Sequence, residues 1–238
     1  MPESSGRSGE VLLVMDEGVW KGPTGDTVES WLRQEVLVLP QYEPTFKVIH
    51  IRPNAFNDMF RKARNVIVTD INPECKHSEF KVESNKFARP QIYITLRAAS
   101  DSALKAAWYN VERYVLDTLT IAEQSRFLYG LRKYRNSQAE ANMRDRHGVD
   151  MMVPTSGFQV YVDSTHFTWI SKETKVSSQG LLVFDFPYNG PQDFDMQSMI
   201  RRIDSVLMLN VPGDAPSSYM AIEKRIEPVK RERSRNEE

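Results

Sequence analysis

The sequence predicts an α+β fold, with short, mostly antiparallel strands covered by helices and one long central helix. Two observations lead to this expectation. Short apolar or alternating runs bounded by Gly, Pro and Asn recur in both halves of the chain, and each is too short for a helix. Between them, apolar residues recur every three or four positions from Leu104 to Ala122, as in an amphipathic helix, and helix-compatible sequence runs on to about His147. The expected blocks are 1–99 (strands and helices), 100–148 (long helix), 149–220 (strands and helix) and 221–238 (charged tail).

The first block is expected to hold strands and two helices. The first helix should run from about Thr27 to Glu35, behind a cap at Thr24 or Asp26, and a short second helix should follow Asn54. The last two strands alternate apolar and polar residues, as a half-exposed antiparallel pair does. The predicted strands are Val11–Met15, Thr45–Ile51, Asn65–Ile71, Phe80–Glu83 and Gln91–Leu96.

The long helix is expected to begin behind a cap at Ser100 and to stop at Gly148, with Gly130 as a point where it can bend or divide. The second block then predicts a hairpin, a third strand and a helix that starts at Asp193 or Asp195 and ends before Val211. Its strands are Phe158–Val162, His166–Ile170 and Leu181–Phe186. The tail is rich in charge and poor in apolar residues, so we predict that it is disordered.

Composition excludes several classes of protein. Apolar residues make up 40% and charged residues 26% of the 238 positions, which is ordinary for a globular chain. The net charge of −1 provides no overall field for nucleic acid or anionic lipid. Cys75 is the only cysteine, so neither an intrachain disulfide nor a Cys-rich zinc site can form. Residues 1–10 lack an apolar signal segment, and no apolar run approaches the length of a membrane span.

Motifs for catalysis and cofactor binding are weak. The glycines between Gly18 and Gly25 follow a strand, as a phosphate loop would, but Pro23 stands where a lysine is needed and Asp16 lies close by. An ordinary connection is therefore favoured. No two of the four histidines lie three or four residues apart, and Cys75 and His77 belong to a polar loop that we expect to be solvated. The sequence predicts no catalytic residue, no metal ligand and no cofactor.

Two weaker patterns keep alternatives open. Ser164 lies two residues before His166, but a catalytic triad usually draws on distant segments and no Gly-x-Ser-x-Gly elbow is present. Basic residues interleaved with aromatic ones can bind nucleic acid, although a solvated helical face is the simpler interpretation. These residues are Arg126, Arg132, Lys133, Arg135, Arg144 and Arg146, with Phe127, Tyr129 and Tyr134 among them.

Aromatic residues in loops are the best candidates for ligand contact. Trp20 stands in the Gly-rich segment, Trp169 in a predicted strand and Tyr188 in a Phe-Pro-Tyr turn. Tryptophans more often anchor a core, where each buries a large apolar area. We take Trp20, Trp169 and Tyr188 as candidate ligand-binding residues, and Trp20 is the strongest of the three.

Ten short stretches, taken in order, resemble a family of Bacteroidota envelope lipoproteins known as a domain of unknown function. The likeness covers about residues 4 to 220. The stretches are Ser5-Gly6-Arg7-x-Gly9-Glu10, Gly25-Asp26-Thr27, Leu39-Pro40-Gln41-x-Glu43-Pro44-x-Phe46, Asn54-Ala55-Phe56, Arg64-Asn65-Val66-Ile67, Pro90-Gln91, Phe167-x-Trp169, Phe186-Pro187-Tyr188, Asp204-Ser205-Val206 and Asn210-Val211-Pro212-Gly213.

The resemblance implies an exported protein held in the periplasm or at the outer membrane by a lipid on an N-terminal cysteine. This sequence departs from the pattern at both ends, with no leader or lipidated cysteine before residue 10 and a charged tail where members continue, so we expect either a truncated sequence or a shortened member of the family. The family supplies no catalytic residue. The function expected is a non-enzymatic envelope module that binds a partner or small ligand and no nucleic acid. The alternatives are a hydrolase acting on envelope material, a nucleic-acid-binding protein using the Arg-rich helix and, for location, the cytoplasm.

Overall fold

The structure is a computed structural model that describes residues 1–36, 42–175 and 177–223. It divides into two compact units, Met1–Phe127 and a second that begins at Leu128. Helices accompany a mixed five-stranded sheet and an antiparallel three-stranded sheet, so the α+β class is confirmed. Residues 224–238 of the predicted disordered tail (221–238) and the Leu39-Pro40-Gln41 part of the family stretches lie outside the described residues.

The sheet of the first unit is mainly parallel, which corrects the expectation of mostly antiparallel strands. Three of its four pairings are parallel, and β4–β5 alone is antiparallel, in the order β2-β1-β3-β5-β4. The continuous apolar runs at Val11–Met15 and Val66–Val68 fit strands that are covered on both faces. The strands are β1 Glu10–Val14, β2 Lys47–Ile51, β3 Asn65–Ile71, β4 Glu79–Ser84 and β5 Ile92–Ala98.

Helices cover one face of this sheet, as expected. Leu13 and Ile67 pack there with Leu32 of α2 (Pro23–Leu32) and with Trp108 of α3 (Asp101–Lys133). The opposite face, at Leu12, Val66 and Tyr93, is covered by side chains from loops and 3₁₀ turns, including Phe56, Phe60 and Phe87. Two short 3₁₀ turns, Pro53–Ala55 and Phe60–Lys62, stand where a helix was predicted after Asn54.

The Gly-rich segment is more helical than predicted. It contains a one-turn helix, α1 (Glu17–Trp20), and α2 begins at Pro23, four residues before the predicted start. Pro23 occupies the first turn of α2, where its missing N–H costs nothing. A Cβ on Gly25 would lie 1.9 Å from the carbonyl oxygen of Trp20, so the glycine permits the close contact between α1 and α2.

The predicted long helix is divided into two helices, α3 and α4 (Ser137–His147), and its apolar stripe lies within α3. Ser100 accepts a hydrogen bond from the Ala103 amide at 3.2 Å, and Gly148 ends α4 with a left-handed φ of 67°, so both predicted ends are confirmed. The division falls at residues 134–136 because the side chain of Asn136 caps α4. Gly130 stays inside α3.

The second unit is an antiparallel sheet with a helix on each face. Its strands are β6 (Gln159–Asp163), β7 (Phe167–Glu173) and β8 (Ser178–Phe184), in the order β6-β7-β8, and α5 spans Met196–Asn210. Ile170 of β7 packs with Met143 of α4, whereas Phe167 packs with Leu207 of α5. Asp195 caps α5, which confirms the second of the two predicted starts of this helix.

Candidate functional site

The first unit contains a cavity of about 370 Å³ at the carboxyl ends of its parallel strands. Residues that follow β1, residues that end β3, one residue after β2 and one residue of α3 surround it. The lining residues are Asp16, Val19, Pro53, Thr69, Asp70, Ile71 and Leu104.

The topology of the sheet explains why a cavity opens there. β1 and β3 are parallel neighbours, with Leu12 opposite Val66 and Val14 opposite Val68. From β1 the chain turns to β2 on one side, whereas from β3 it turns to β4 and β5 on the other. The two connections diverge and leave a crevice between the strand ends. In open sheets of this kind, ligands bind in that crevice.

Asp16 places a carboxylate in the cavity. Its Oδ1 accepts a hydrogen bond from the Gly18 amide at 2.8 Å, which caps α1 and fixes the side chain. Among the described residues no basic side chain lies within 4 Å of Asp16. Its second oxygen is therefore available to a hydrogen-bond donor.

Asp70 supplies a second carboxylate. Its Oδ2 accepts a hydrogen bond from Nε of Arg97 at 2.7 Å, and Arg97 also reaches Glu79 at 3.4 Å. The neighbouring Thr69 hydroxyl is buried and donates to the carbonyl of Val14 at 3.3 Å, which holds the ends of β1 and β3 together. The cavity therefore carries two carboxylates, of which one is paired with an arginine, beside the apolar groups of Val19, Ile71 and Leu104.

Trp20 lies in α1, close in sequence to the cavity-lining Val19. Its ring stacks on His50 with a centroid distance of 4.6 Å and an interplanar angle of 11°. The Nε2–H of His50 donates to the carbonyl of Met15 at 2.9 Å. This pair packs against Met15, which precedes Asp16 in the chain.

Glu17 ties α1 to the end of β2. Its carboxylate accepts hydrogen bonds from Nε of Arg52 and from Nζ of Lys21, each at 2.8 Å. These two bonds lower the pKa of Glu17 to about 2. The ion pairs hold α1 beside Pro53, which lines the cavity.

The other two candidate ligand residues lie in the second unit, in separate surroundings. Trp169 stacks on Tyr161 at 5.0 Å, beside a bulge between Val160 and Val162, and lies over Gly180. Tyr188 is 62% exposed and contacts Phe194, with ring centroids 5.7 Å apart. Trp169 and Tyr188 therefore have different neighbours within the second unit, Trp20 belongs to the first unit, and the role of all three in ligand binding stays a prediction.

An acid, two imidazoles and a hydroxyl meet in the second unit. The Nδ1–H groups of His147 and His166 donate to the two oxygens of Asp185, at 2.9 and 2.7 Å. The Nε2 of His147 faces the Thr168 hydroxyl at 2.9 Å. This connectivity is that of a catalytic triad, but Thr168 is 0% exposed, so its hydroxyl has no access to a substrate. We assign the cluster a structural role in joining the end of α4 to β7.

Most of the arginines in the Arg-rich stretch form ion pairs with carboxylates. Arg126, with 10% of its side chain exposed, pairs with Glu123 at 2.6 Å. Arg135, Arg144 and Arg146 pair with Glu140, Asp150 and Asp163 at 3.1, 2.6 and 3.0 Å. These pairs neutralise four of the six basic side chains of the stretch, and nucleic-acid binding by the stretch stays a hypothesis.

Two family models match the chain. The model described as domain of unknown function (DUF8532) matches residues 4–131, which is more than half of the 238 residues. The chain belongs to that family. A second model, also described as a domain of unknown function (DUF4837), matches residues 136–238. The comparisons with curated proteins and with solved structures found no match.

The DUF8532 match follows the first compact unit closely, so the cavity at the ends of β1 and β3 lies wholly inside the DUF8532 region. Among residues 1–36, 42–175 and 177–223, no cluster of three His, Cys, Asp or Glu side chains has metal-binding geometry. None of the helices in this part of the chain is long and apolar enough to cross a membrane.

Sequence reasoning missed Asp70 and Thr69 and treated Asp16 only as an obstacle to phosphate. The signal was present, because each polar residue stands at the end of a correctly predicted apolar strand. What the sequence did not show is that β1 and β3 are parallel neighbours, which brings these residues together.

Proposed function

We propose that this protein is a non-enzymatic binding module of the cell envelope, and that the cavity at the strand ends binds a small cationic amine. The observation that carries the proposal is the pair of carboxylates, Asp16 and Asp70, in a cavity of about 370 Å³ at the crevice between diverging strand connections. That volume lies within the range of small-molecule sites.

The chemistry of the lining favours an ammonium group. Each of the two aspartates offers an oxygen that takes part in no hydrogen bond within the described residues, and carboxylates accept hydrogen bonds but cannot donate them. Asp70 pairs with Arg97, whereas Arg52 acts on Asp16 through its charge alone and pairs with Glu17, so the two aspartates of the lining are not fully neutralised. The apolar groups of Val19, Ile71 and Leu104 suit the hydrocarbon part of the same ligand.

The envelope location is supported by the resemblance to lipid-anchored envelope proteins. In that setting the protein would meet small ligands or protein partners outside the inner membrane. Fractionation of cells that make the native gene product tests this part of the proposal. Recovery with membranes, in a form that detergent releases, is the expected result, and recovery in the cytosolic fraction would contradict it.

Three ligands of similar shape but different charge test whether the cavity selects a cation. The full chain, labelled with ¹⁵N, is titrated with benzylamine, benzyl alcohol and benzoate. We expect saturable shifts with benzylamine, centred on the amides of Asp16, Val19 and residues 69–71, and weaker binding of the other two. Asp16→Asn should weaken benzylamine binding about tenfold, since a charge-assisted hydrogen bond is lost.

Asp117→Asn is the matched control, because Asp117 is a half-exposed aspartate of α3 that pairs with Arg113 and does not line the cavity. It should leave the affinity unchanged. Equal binding of benzoate and benzylamine, or shifts that avoid the strand ends, would overturn the proposal.

A further inference from the structure

The second unit contains a separate groove of about 460 Å³ along α5. One face of α5 forms one wall through Ser198, Arg201, Arg202, Ser205 and Leu209, whose spacing of three or four residues places them along one side of a helix. Phe186 and Asp193 lie opposite. No residue of the groove belongs to the cavity at the strand ends.

Arg202 lines this groove, and its contacts with Phe186 and Asp193 hold its side chain in place. Its guanidinium carbon lies 3.8 Å above the ring centroid of Phe186, and its Nη2 donates to Oδ1 of Asp193 at 3.0 Å. The other oxygen of Asp193 accepts from the Asn189 amide at 2.7 Å. Arg202 and Asp193 therefore form an ion pair inside the groove, although the buried Nε of Arg202 has no hydrogen-bond partner within the described residues.

Arg201 is the cation left for a ligand. It is exposed, and its Nη2 donates to the Ser198 hydroxyl at 3.2 Å. Asp195, whose charge interacts with Arg201, caps α5 and accepts from Ser198, and Asp204, three residues along the helix from Arg201, accepts from the Ile222 amide. Within the described part of the chain no carboxylate lies within 4 Å of Arg201. Its remaining N–H groups can bind a carboxylate through two parallel hydrogen bonds.

The far end of the groove is apolar. Leu209 is 79% exposed and lines the groove with the partly buried Val206. A helix rises 1.5 Å per residue, so Leu209 lies about 12 Å along α5 from Arg201. Phe186 continues the apolar surface through Phe194 to Tyr188, with ring centroids 6.0 and 5.7 Å apart.

We propose that this groove binds an amphiphilic carboxylate, whose acid group pairs with Arg201 and whose hydrocarbon chain lies along Val206 and Leu209. A cation at one end of an open groove and exposed apolar groups at the other match such a molecule in both charge and polarity. The inference is independent of the amine site, because it uses other residues and a ligand of opposite charge.

Titration of the full chain with octanoate, octan-1-ol and octylamine tests the inference. We expect octanoate to shift the amides of residues 198–209 saturably at millimolar concentration, and the alcohol and the amine to bind at least about tenfold more weakly. Arg201→Gln should reduce octanoate affinity about tenfold. Leu209→Ala should reduce it about fivefold through lost apolar contact.

Two variants provide matched controls. Arg132→Gln removes an equal charge from an exposed position of α3, and Met208→Ala truncates an exposed apolar side chain next to Leu209 that does not line the groove. Both should bind octanoate like the wild type. Absence of saturable octanoate binding, equal affinity for octan-1-ol, or equal effects of the Leu209 and Met208 variants would each overturn the inference.

Discussion

Asp185 shows how a single carboxylate can organise its surroundings. Hydrogen bonds from His166 and His147 lower its pKa below the ordinary value of an aspartate. His147, with 1% of its side chain exposed, ends α4, whereas His166 is 76% exposed and precedes β7. The carboxylate therefore links a buried and an exposed imidazole from two elements of the second unit.

The lowered pKa gives Asp185 a defined effect on stability. In the folded protein the Asp185 carboxylate binds a proton less readily than it does in the unfolded chain. The ionised carboxylate therefore stabilises the fold fully above the unfolded pKa of about 3.9, and this stabilisation is lost as the pH falls through the lower pKa of the folded protein. We expect Asp185→Asn to lower the free energy of unfolding at pH 7 and to have a much smaller effect at pH 3. Urea denaturation at pH 7 and at pH 3, monitored through the hydrogen exchange of amides in β7, measures both changes in the free energy of unfolding.

The exposed Asp214 provides the comparison, as a second aspartate of the same unit. Asp214→Asn should change stability little at either pH. A penalty for Asp185→Asn that is equally large at pH 3 would show that the carboxylate charge is not what holds the two histidines.

At the level of elements, α3 is anchored to the sheet by a nearly buried ion network. Glu123 accepts hydrogen bonds from Asn65 at 2.8 Å and from Arg126 at 2.6 Å, and it pairs with Arg64 at 2.9 Å. Asn65 also donates to the carbonyl of Glu10, so the network joins α3 to the starts of β1 and β3. Burial alone raises the pKa of Glu123, but hydrogen bonds from Asn65 and Ser8 and the two arginine charges lower it overall.

Glu123→Gln should destabilise the first unit by about 3 kcal/mol, because it leaves two largely buried arginines without their carboxylate. Glu112→Gln on the same helix is the matched control. Burial raises the pKa of Glu112, and its buried Oε2 has no hydrogen-bond partner within the described residues, so neutralising it should cost nothing or stabilise. Chemical denaturation at pH 7 compares the two, and equal losses would contradict this role of the network.

Element positions were largely predictable because their signals are local. β3 was predicted with its exact bounds, and Ser100, Asp195 and Gly148 mark helix ends by their own side-chain or backbone chemistry. The start of α2 was missed because Gly22-Pro23 is typical of a turn. The helix there depends on a close contact between Gly25 and the Trp20 carbonyl, which is set by the packing of α1.

At the scale of the whole molecule, each unit has its own apolar core. Two core clusters consist of residues between Val11 and Leu119, and two consist of residues between Ala139 and Ile222. Strand order within each sheet depends on which strands meet in space, and local periodicity carries no such information. The parallel β1–β3 pair, and with it the cavity, therefore could not be predicted from the sequence.

The separate cores predict separate responses to cavity-forming substitutions. Leu13→Ala should lower the opening free energy of amides in β1 and β3 by about 3 kcal/mol, and Met143→Ala should do so for β7. Native-state hydrogen exchange measures the two regions in one sample. Equal losses of protection in both units from either substitution would show that the chain unfolds as one cooperative body.

The central claim is that carboxylates at the ends of β1 and β3 select a cationic ligand. Calorimetric titration of benzylamine into the wild type and into the double variant Asp16→Asn/Asp70→Asn tests it most directly. We predict saturable binding to the wild type and a loss of at least about a hundredfold in the double variant, as expected for two charged hydrogen bonds. Equal affinity of the two proteins for benzylamine would contradict the claim.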